Sequence, residues 1–226
     1  MSKVSCIIPA YNEGKRIGAV LQAVCGHPLI DEVLVIDDGS SDETVEVVKQ
    51  FKEARLITHL KNEGKSRSVL DGIMESAGDI VFLLDADLIG LTTNNISGMI
   101  EPVVLDKADI SISLKNSSPW FCRMIGLDFI SGERVFSRKL IQNHLESIKS
   151  LSHFGLETYL NKYIIENNFR IKVVSWSNVI SPWPHKKRGL FLGFKSFLFM
   201  IKDILKTTSI FGVGYQIIRM SFLKVK

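Results

Sequence analysis

The sequence lacks both glycine-rich motifs that commonly mark nucleotide-binding folds. No G-x-G-x-x-G follows the first strand pattern, and no G-x-x-x-x-G-K-[ST] occurs anywhere in the 226 residues. These absences count against a dinucleotide-binding enzyme and against a P-loop enzyme. The chain also lacks internal repeats and low-complexity linkers, and its length suits one sizeable domain with at most an appendage.

Cysteines are few, and long uncharged apolar runs are absent. The three cysteines, Cys6, Cys25 and Cys122, match neither a disulfide framework nor a metal knuckle, and the apolar strand pattern around Cys6 predicts a core position. No stretch reaches the ~18 apolar residues that span a bilayer. The first residues, MSKVSCIIPAYNE, lack the charged and apolar regions of a signal peptide, so we expect a reducing, cytoplasmic setting.

Acidic residues are scarce at the C-terminal end. From His185 onward nine Lys or Arg accompany a single acid, Asp203, so this part carries +8. Because the net charge of the chain is +4, residues 1–184 carry −4 by difference. The positive charge therefore belongs to the tail and not to the body of the chain.

The tail also has a distinctive apolar pattern. Phe and Leu dominate residues 190–205, with the few charged residues on a minority face, and residues 210–225 repeat the mixture. This pattern predicts a basic amphipathic helix at an anionic membrane surface, which would place the protein peripherally at the inner face of the cell membrane. A helix that packs on the domain or on a second subunit, as in a homodimer, is the alternative. Nucleic-acid binding is disfavoured, because these Phe residues lie among aliphatic residues and form no stacking platform.

Strand and helix patterns alternate along the chain, as apolar runs predict strands and 3.6-residue spacing predicts helices. This order predicts an α/β fold with a mostly parallel sheet sandwiched by helices and right-handed crossovers. The predicted strands cover residues 4–9, 33–36, 55–58, 80–84, a half-exposed 110–114, and 171–174. The predicted helices cover residues 14–24, a stretch capped by Ser41 that reaches Phe51, 65–77, 96–105 and 154–167.

The fourth predicted strand ends in two carboxylates. Residues 80–88 read IVFLLDADL, a run typical of a strand buried on both faces, which stops at Asp85 and Asp87. Residues two apart in an extended chain point to the same side, so both carboxylates can share a hard cation or its water shell. Alone, such a pair indicates no more than a strand that ends in an acidic turn.

Polar motifs follow the other predicted strands, at the edge where doubly wound sheets bind ligands. PAYNE (residues 9–13) follows the first strand, DDGS (37–40) follows the second, and NEGK (62–65) opens the next helix. A carboxylate there can accept hydrogen bonds from a base or a ribose, and a lysine beside free helix N–H groups suits a phosphate. The four motifs together predict base-reading groups, an acid, a phosphate-binding lysine and a metal site at one edge.

PAYNE, IDDGSSDET, NEGKSRSVLDGI and GDIVFLLDADL, in this order, resemble the family-2 glycosyltransferases of the GT-A fold. Two later stretches extend the resemblance: SGER (131–134) is similar to an acceptor-side segment, and GLE (155–157) to an acid at a helix start. WPHKKRG places His185 where the glucosyl-3-phosphoglycerate and mannosylglycerate synthases of this family have a metal-binding histidine. The polyprenyl-phosphate sugar synthases of the family are also similar.

The resemblance implies a role for each matching residue. Asp87 would bind a Mg²⁺ or Mn²⁺ cofactor with His185 as a further ligand, and Glu157 would act with Asp87 in catalysis. Gly132 and Arg134 would face the acceptor. The residues that would bind the donor nucleotide are Pro9, Tyr11, Glu13, Asp38, Lys65 and Asp85, with Lys65 on the diphosphate and Asp85 nearer the ribose and sugar.

Two of these residues keep alternative interpretations. Glu157 would be the general base if transfer inverts the anomeric centre, or would hold the acceptor or a ligand if transfer retains it. It could equally be a solvated acid that the helix dipole favours. Arg134 would hold an anionic acceptor such as a phosphate, or would form an ordinary surface pair with Glu133.

The implied function is metal-dependent transfer of a hexose from a UDP-linked donor. The acceptor would be a lipid, such as polyprenyl phosphate or a glycolipid, or a small phosphorylated molecule. Residues 1–184 would form the GT-A domain and residues 185–226 the helical tail. Two other classes stay open: a sugar-phosphate nucleotidyltransferase, for which PAYNEGKR supplies only a diluted glycine-rich basic loop, and a non-catalytic nucleotide-sugar-binding module.

Overall fold

Seven strands form one sheet with helices on both faces, in a computed structural model that describes residues 2–149, 151, 155–182 and 208–225. The strands are β1 (Val4–Ala10), β2 (Glu32–Asp37), β3 (Ala54–Thr58), β4 (Ile80–Leu83), β5 (Ile110–Lys115), β6 (Arg134–Ser137) and β7 (Ile171–Trp176). The helices are α1 (Gly14–Val24), α2 (Thr44–Val48), α3 (Lys65–Glu75), α4 (Thr93–Val104), α5 (Trp120–Ile125), α6 (Leu145–Lys149), α7 (Leu156–Glu166) and α8 (Ile210–Phe222).

The sheet has the order β3-β2-β1-β4-β6-β5-β7, and it is mostly parallel as the sequence predicts. The pairs β1–β2, β2–β3, β1–β4 and β5–β7 are parallel. Strand β6 runs antiparallel between β4 and β5. The carboxyl ends of β1, β2, β3 and β4 therefore meet at one edge, which carries the PAYNE, DDGS, NEGK and DAD motifs.

Two apolar clusters, one on each face of the sheet, form the core. In β1 the side chains alternate, so Cys6 and Ile8 join one cluster with α1 and α4, while Ile7 joins the other with α3 and α7. The predicted core position of Cys6 is confirmed, and burial raises the pKa of its thiol. Helix α1 contributes Ile17, Val20, Leu21 and Val24, which are fully buried at helical spacing.

Two local predictions were wrong. The second helix does not begin at a Ser41 cap but after Glu43, because the Asp42 carboxylate accepts hydrogen bonds from the backbone N–H groups of Gly14 and Thr44. Strand β5 is not half-exposed, since it lies between β6 and β7 and both Ser111 and Ser113 are fully buried.

Part of the predicted tail packs on the domain. Helix α8 lies against α7, where the Gln216 amide donates a hydrogen bond to the Thr158 carbonyl over 3.1 Å, and Met220 is fully buried. After α8 the backbone N–H of Val225 donates to the carbonyl of Ile171 in β7. The packing alternative therefore holds for this helix. The helix predicted over residues 190–205 and the domain boundary at 184 lie outside the described residues, and no helix in the described ranges is long and apolar enough to cross a bilayer.

Candidate active site

The loops after β1 and β2 are joined to each other. Asn12 adopts a left-handed backbone conformation (φ 55°), and its side-chain oxygen accepts a hydrogen bond from the Ser41 N–H over 2.8 Å. Its own N–H donates to the Ser40 hydroxyl, and the Glu13 N–H donates to the Thr44 hydroxyl. These contacts fix the PAYNE loop, with the predicted donor residues Pro9, Tyr11 and Glu13, on the DDGS loop.

Asp38 joins the DDGS loop to the NEGK loop. Its two carboxylate oxygens accept the backbone N–H groups of Glu63 and Gly64, each over 2.8 Å, and one of them also lies 2.9 Å from His59 Nδ1. Asp38 is buried, and the other ring nitrogen of His59 lies 3.2 Å from Asp71. The structure therefore directs Asp38 at the loop that precedes Lys65, where it holds that loop in place.

The NEGK and DAD motifs meet at a lysine held by two carboxylates. Lys65 Nζ lies 2.7 Å from Asp85 Oδ1 and 3.0 Å from Glu157 Oε1. Lys65 is the first residue of α3, Asp85 follows β4, and Glu157 lies in the first turn of α7. Three separate elements thus bring together Lys65, Asp85 and Glu157, all of which were predicted from the sequence to lie in the site.

This pairing fixes the charge states of Lys65 and Asp85. Burial alone would lower the pKa of Lys65, but the charges of Asp85 and Glu157 outweigh it and raise that pKa well above its usual range. Burial alone would raise the pKa of Asp85, but the charges of Lys65 and Lys115 outweigh it and lower that pKa. Both groups are therefore charged at neutral pH.

Glu157 is not the solvated acid of the alternative interpretation. Glu157 is only 8% exposed, and its carboxylate is paired with Lys65. Gly132 closes the same group of side chains, because a Cβ atom there would lie 2.8 Å from Asp85 Oδ1 and closer still to Lys65 Nζ. Only a residue without a side chain leaves room for the Lys65–Asp85 pair.

Arg134 lies behind this site. It is fully buried, and its guanidinium donates to the carbonyls of Ser131 and Phe129 and to the side-chain oxygen of Asn161. The predicted surface pair between Arg134 and Glu133 is wrong, because Glu133 is also fully buried and pairs with Lys115. Burial lowers the pKa of Arg134 to about 10. In this position Arg134 supports the segment that contains Gly132 and does not reach an open surface.

Two polar groups at this edge were not predicted from the sequence. His59 follows β3 directly, the position that carries a functional motif after the other three strands, so the same positional argument could have found it. Lys115 ends β5 and pairs with Glu133 underneath Gly132. No local sequence signal predicts the Lys115–Glu133 pair, because it depends on β6 inserting beside β5.

A divalent cation fits the carboxylates that follow β4. Asp85 and Asp87 supply hard oxygen ligands, and Mg²⁺ is commonly bound by one or two carboxylates together with substrate phosphates. No cluster of three or more His, Cys, Asp or Glu that could hold a metal by itself occurs in the described ranges. The predicted further ligand His185 lies outside them.

The sequence matches a known protein family and several known proteins. Residues 5–118 match the model of glycosyl transferase family 2. A human dolichyl-phosphate beta-glucosyltransferase is 31% identical over 100 residues, 38% of this chain and 31% of that protein. A dolichol-phosphate mannosyltransferase from Pyrococcus furiosus is 31% identical over 148 residues, 62% of this chain and 38% of that protein. The chain thus spans about a third of the length of these relatives.

Solved structures of glucosyl-3-phosphoglycerate synthase from Mycobacterium tuberculosis share the fold. The complex with Mn²⁺, UDP and glucosyl-3-phosphoglycerate has a TM-score of 0.70 at 20% identity, covering 91% of this chain and 80% of that one. The complex with Mg²⁺ and UDP has a TM-score of 0.71. The predicted GT-A fold is thereby confirmed. Since the family model matches half of the sequence, from β1 to just beyond β5, the chain belongs to glycosyl transferase family 2.

Proposed function

We propose that this glycosyltransferase moves a hexose from a UDP-linked donor to a phosphorylated acceptor, with Mg²⁺ or Mn²⁺ as cofactor. The observation that carries the proposal is the Lys65 ammonium held between Asp85 and Glu157 at the carboxyl edge of the sheet. The named activities of the relatives agree with it: dolichyl-phosphate glucosyl transfer, dolichol-phosphate mannosyl transfer and glucosyl-3-phosphoglycerate synthesis. The acceptor is accordingly a polyprenyl phosphate or related glycolipid, or a small phosphorylated molecule.

Lys65 is the group we assign to the donor diphosphate. An ammonium has three N–H donors, and Asp85 and Glu157 occupy two of them, so one remains for a phosphate oxygen. Lys65 also begins α3, where backbone N–H groups and the helix dipole favour an anion. Asp38 acts on the same group indirectly, by holding the preceding loop, while Pro9, Tyr11 and Glu13 would line the base and ribose from the neighbouring loop.

Asp87 would hold the cation, with Asp85 nearer the ribose and donor sugar and His185 as a further ligand. When bound, the cation would neutralise charge that develops on the departing diphosphate. Asp85 Oδ1 accepts a hydrogen bond from Lys65 Nζ, and this oxygen cannot keep that contact while it also serves as a full ligand of the metal. We therefore assign the primary ligand role to Asp87 and the orientation of Lys65 to Asp85.

The role of Glu157 depends on the acceptor. A hydroxyl acceptor must lose a proton, and Glu157 is the carboxylate beside the proposed phosphate site that could take it. A phosphate acceptor is already largely ionised at neutral pH, because its second pKa is about 6. In that case Glu157 would only orient Lys65, and Gly132 would let the Lys65–Asp85 pair lie directly against the acceptor-side segment.

The test is a release assay on the full chain with UDP-sugars, Mn²⁺ and phosphorylated acceptors, in which UDP is measured. We expect Asp87→Ala to lower metal-dependent turnover at least about a hundredfold while the melting temperature stays unchanged. Asp106→Ala removes another aspartate carboxylate, one exposed on the surface, and should keep full activity.

Two outcomes would oppose the proposal. Full activity of Asp87→Ala would remove the metal assignment. Release of inorganic diphosphate from a nucleoside triphosphate and a sugar phosphate, without UDP-sugar turnover, would identify the chain as a nucleotidyltransferase instead.

The membrane association predicted from the tail belongs to the same proposal. A lipid-linked acceptor is confined to a bilayer, so an enzyme that uses one must reach the membrane surface. The basic composition of residues 185–226 suits anionic lipid headgroups.

A further inference from the structure

Helix α8 carries an exposed apolar stripe. Phe211, Tyr215, Ile218 and Phe222 are 90%, 57%, 60% and 80% exposed, and their spacing of four, three and four residues places them on one side of the helix. The stripe is about 16 Å long at the rise of an α-helix. The opposite side of the helix packs on the domain through Val213, Gln216, Ile217 and Met220. Helix α8 is thus apolar on its outer side as well as its inner side, unlike an ordinary surface helix.

A second exposed apolar group lies on α5. Trp120, Phe121 and Met124 are 66%, 37% and 78% exposed. The C-terminal ends of the two helices lie near each other, because Lys224, two residues beyond α8, donates a hydrogen bond from its Nζ to the carbonyl of Ile125, the last residue of α5, over 2.8 Å. Met124 directly precedes that carbonyl, and Phe222 lies two residues before that lysine. We call the exposed apolar residues of these two adjoining helices, taken together, the apolar face.

The charged residues of α5 and α8 are positive. Residues 208–225 contain no Asp or Glu, and they include Arg219 and Lys224. Arg123 on α5 is exposed, and Asp128, which follows α5, is buried. Residues 186–206, just before α8 in the sequence, contain six Lys or Arg and one Asp. A surface with Phe, Ile, Trp and Tyr framed by basic residues is complementary to the interface of an anionic bilayer.

We infer that the apolar face is a membrane-docking surface, on which α8 lies in the plane of an anionic lipid bilayer. Both helices are tied to the candidate active site. The segment after α5 leads to Gly132, and Asn161 of α7 connects the Arg134 guanidinium to Gln216 of α8. Docking would hold the acceptor side of the site against the membrane. The inference rests on the proposed membrane association but does not depend on the proposed glycosyl transfer.

Flotation of the full chain with phosphatidylcholine vesicles, with and without phosphatidylglycerol, tests the inference. We expect the protein to float with the anionic vesicles, and high salt to weaken this binding. The double variant Phe211→Ser/Phe222→Ser should bind these vesicles at least about tenfold more weakly, because it loses the two most exposed apolar side chains of α8. The double variant Met74→Ser/Leu105→Ser, which removes apolar side chains of 62% and 58% exposure elsewhere on the surface, should bind like the wild type.

Three results would overturn the inference: no flotation of the wild-type chain, equal binding of the Phe211→Ser/Phe222→Ser variant, or a wild-type dimer that this variant converts to a monomer. The last result would assign the apolar face to a second copy of the chain. UDP release of each variant, measured in solution without vesicles, tests the proposed sugar transfer independently of membrane docking. Absence of sugar transfer with intact, Phe-dependent flotation would refute the proposed reaction and leave the docking surface standing.

Discussion

Gly132 lies against the side chains of Lys65 and Asp85, where any Cβ atom would overlap them. We predict that Gly132→Ala lowers UDP release at least about tenfold, because the methyl group separates the ammonium from its carboxylate partner. The melting temperature should fall by only a few degrees, because the Lys65 amine is the end of a flexible side chain that can move away, at the cost of its pairing with Asp85. A melting curve and a turnover assay on the same sample distinguish the two effects.

Gly98→Ala is the matched control for this substitution. A Cβ atom at Gly98 would lie 3.4 Å from Val174 Cγ1, so the methyl group needs only a small adjustment. This variant should keep full activity. Unchanged activity of Gly132→Ala would show that the Lys65–Asp85 contact is not needed for turnover.

The sequence predicted which residues meet in the site better than it predicted their individual contacts. Lys65 and Asp85 were predicted from strand ends and a helix start, which sequence patterns reveal. Glu157 was predicted from the resemblance, because its position alone equally indicates a solvated acid. Asp38 and Arg134 came from the resemblance as ligand contacts, yet their hydrogen bonds go to neighbouring backbone and to Asn161. Sequence alone could not show this, because the partners lie in loops whose paths are set by tertiary packing.

The NEGK loop is held by the Asp38 carboxylate, and His59 in turn contacts that carboxylate through its Nδ1. We predict that His59→Asn raises the KM for the donor about tenfold with a smaller change in kcat, because the loop that presents Lys65 to the diphosphate becomes less well fixed. Binding of UDP, measured by calorimetry, should weaken in parallel. A purely structural role would lower the melting temperature and leave the KM of the folded fraction unchanged.

Asp71→Asn provides the comparison for the loop. It alters the contact at the other ring nitrogen of His59 and leaves the contact between His59 and Asp38 in place. We expect a smaller rise in the donor KM than for His59→Asn. Equal effects would mean that the loop depends on the orientation of the ring as a whole.

Regular elements were predictable where one pattern governs the whole element. Helix α1 has the predicted bounds, and β4 and α3 end within two residues of the prediction. Strand β6 escaped prediction because it has four residues and its burial arises from antiparallel insertion between β4 and β5. The same insertion explains why β5, whose sequence alternates like a half-exposed strand, is buried instead.

At the scale of the whole molecule, charge is divided between an acidic body and a basic tail, and the acidic edge of the sheet contains ion pairs that respond to pH. The folded-state pKa of Asp85 is lowered, so its contribution to stability is present above the unfolded pKa of about 4 and is lost as pH falls through the folded pKa. The folded-state pKa of Lys65 is raised, so its contribution is fully present below the unfolded pKa of about 10 and is lost as pH rises through the folded pKa.

This window predicts the pH dependence of an Asp85→Asn variant. At pH 7 the variant should be less stable than the wild type by about 1–2 kcal/mol, a value kept modest because the two side chains are partly exposed to solvent. Below about pH 4 the difference should shrink, because the aspartate of the unfolded wild-type chain then takes up a proton that the paired Asp85 of the folded chain resists. Urea unfolding of both proteins across this pH range measures the stability difference. As a control, the effect of Asp85→Asn in a Lys65→Met background should depend little on pH. A difference that stays constant from pH 7 to pH 3 would mean that Asp85 stabilises the edge through its shape and not through its charge.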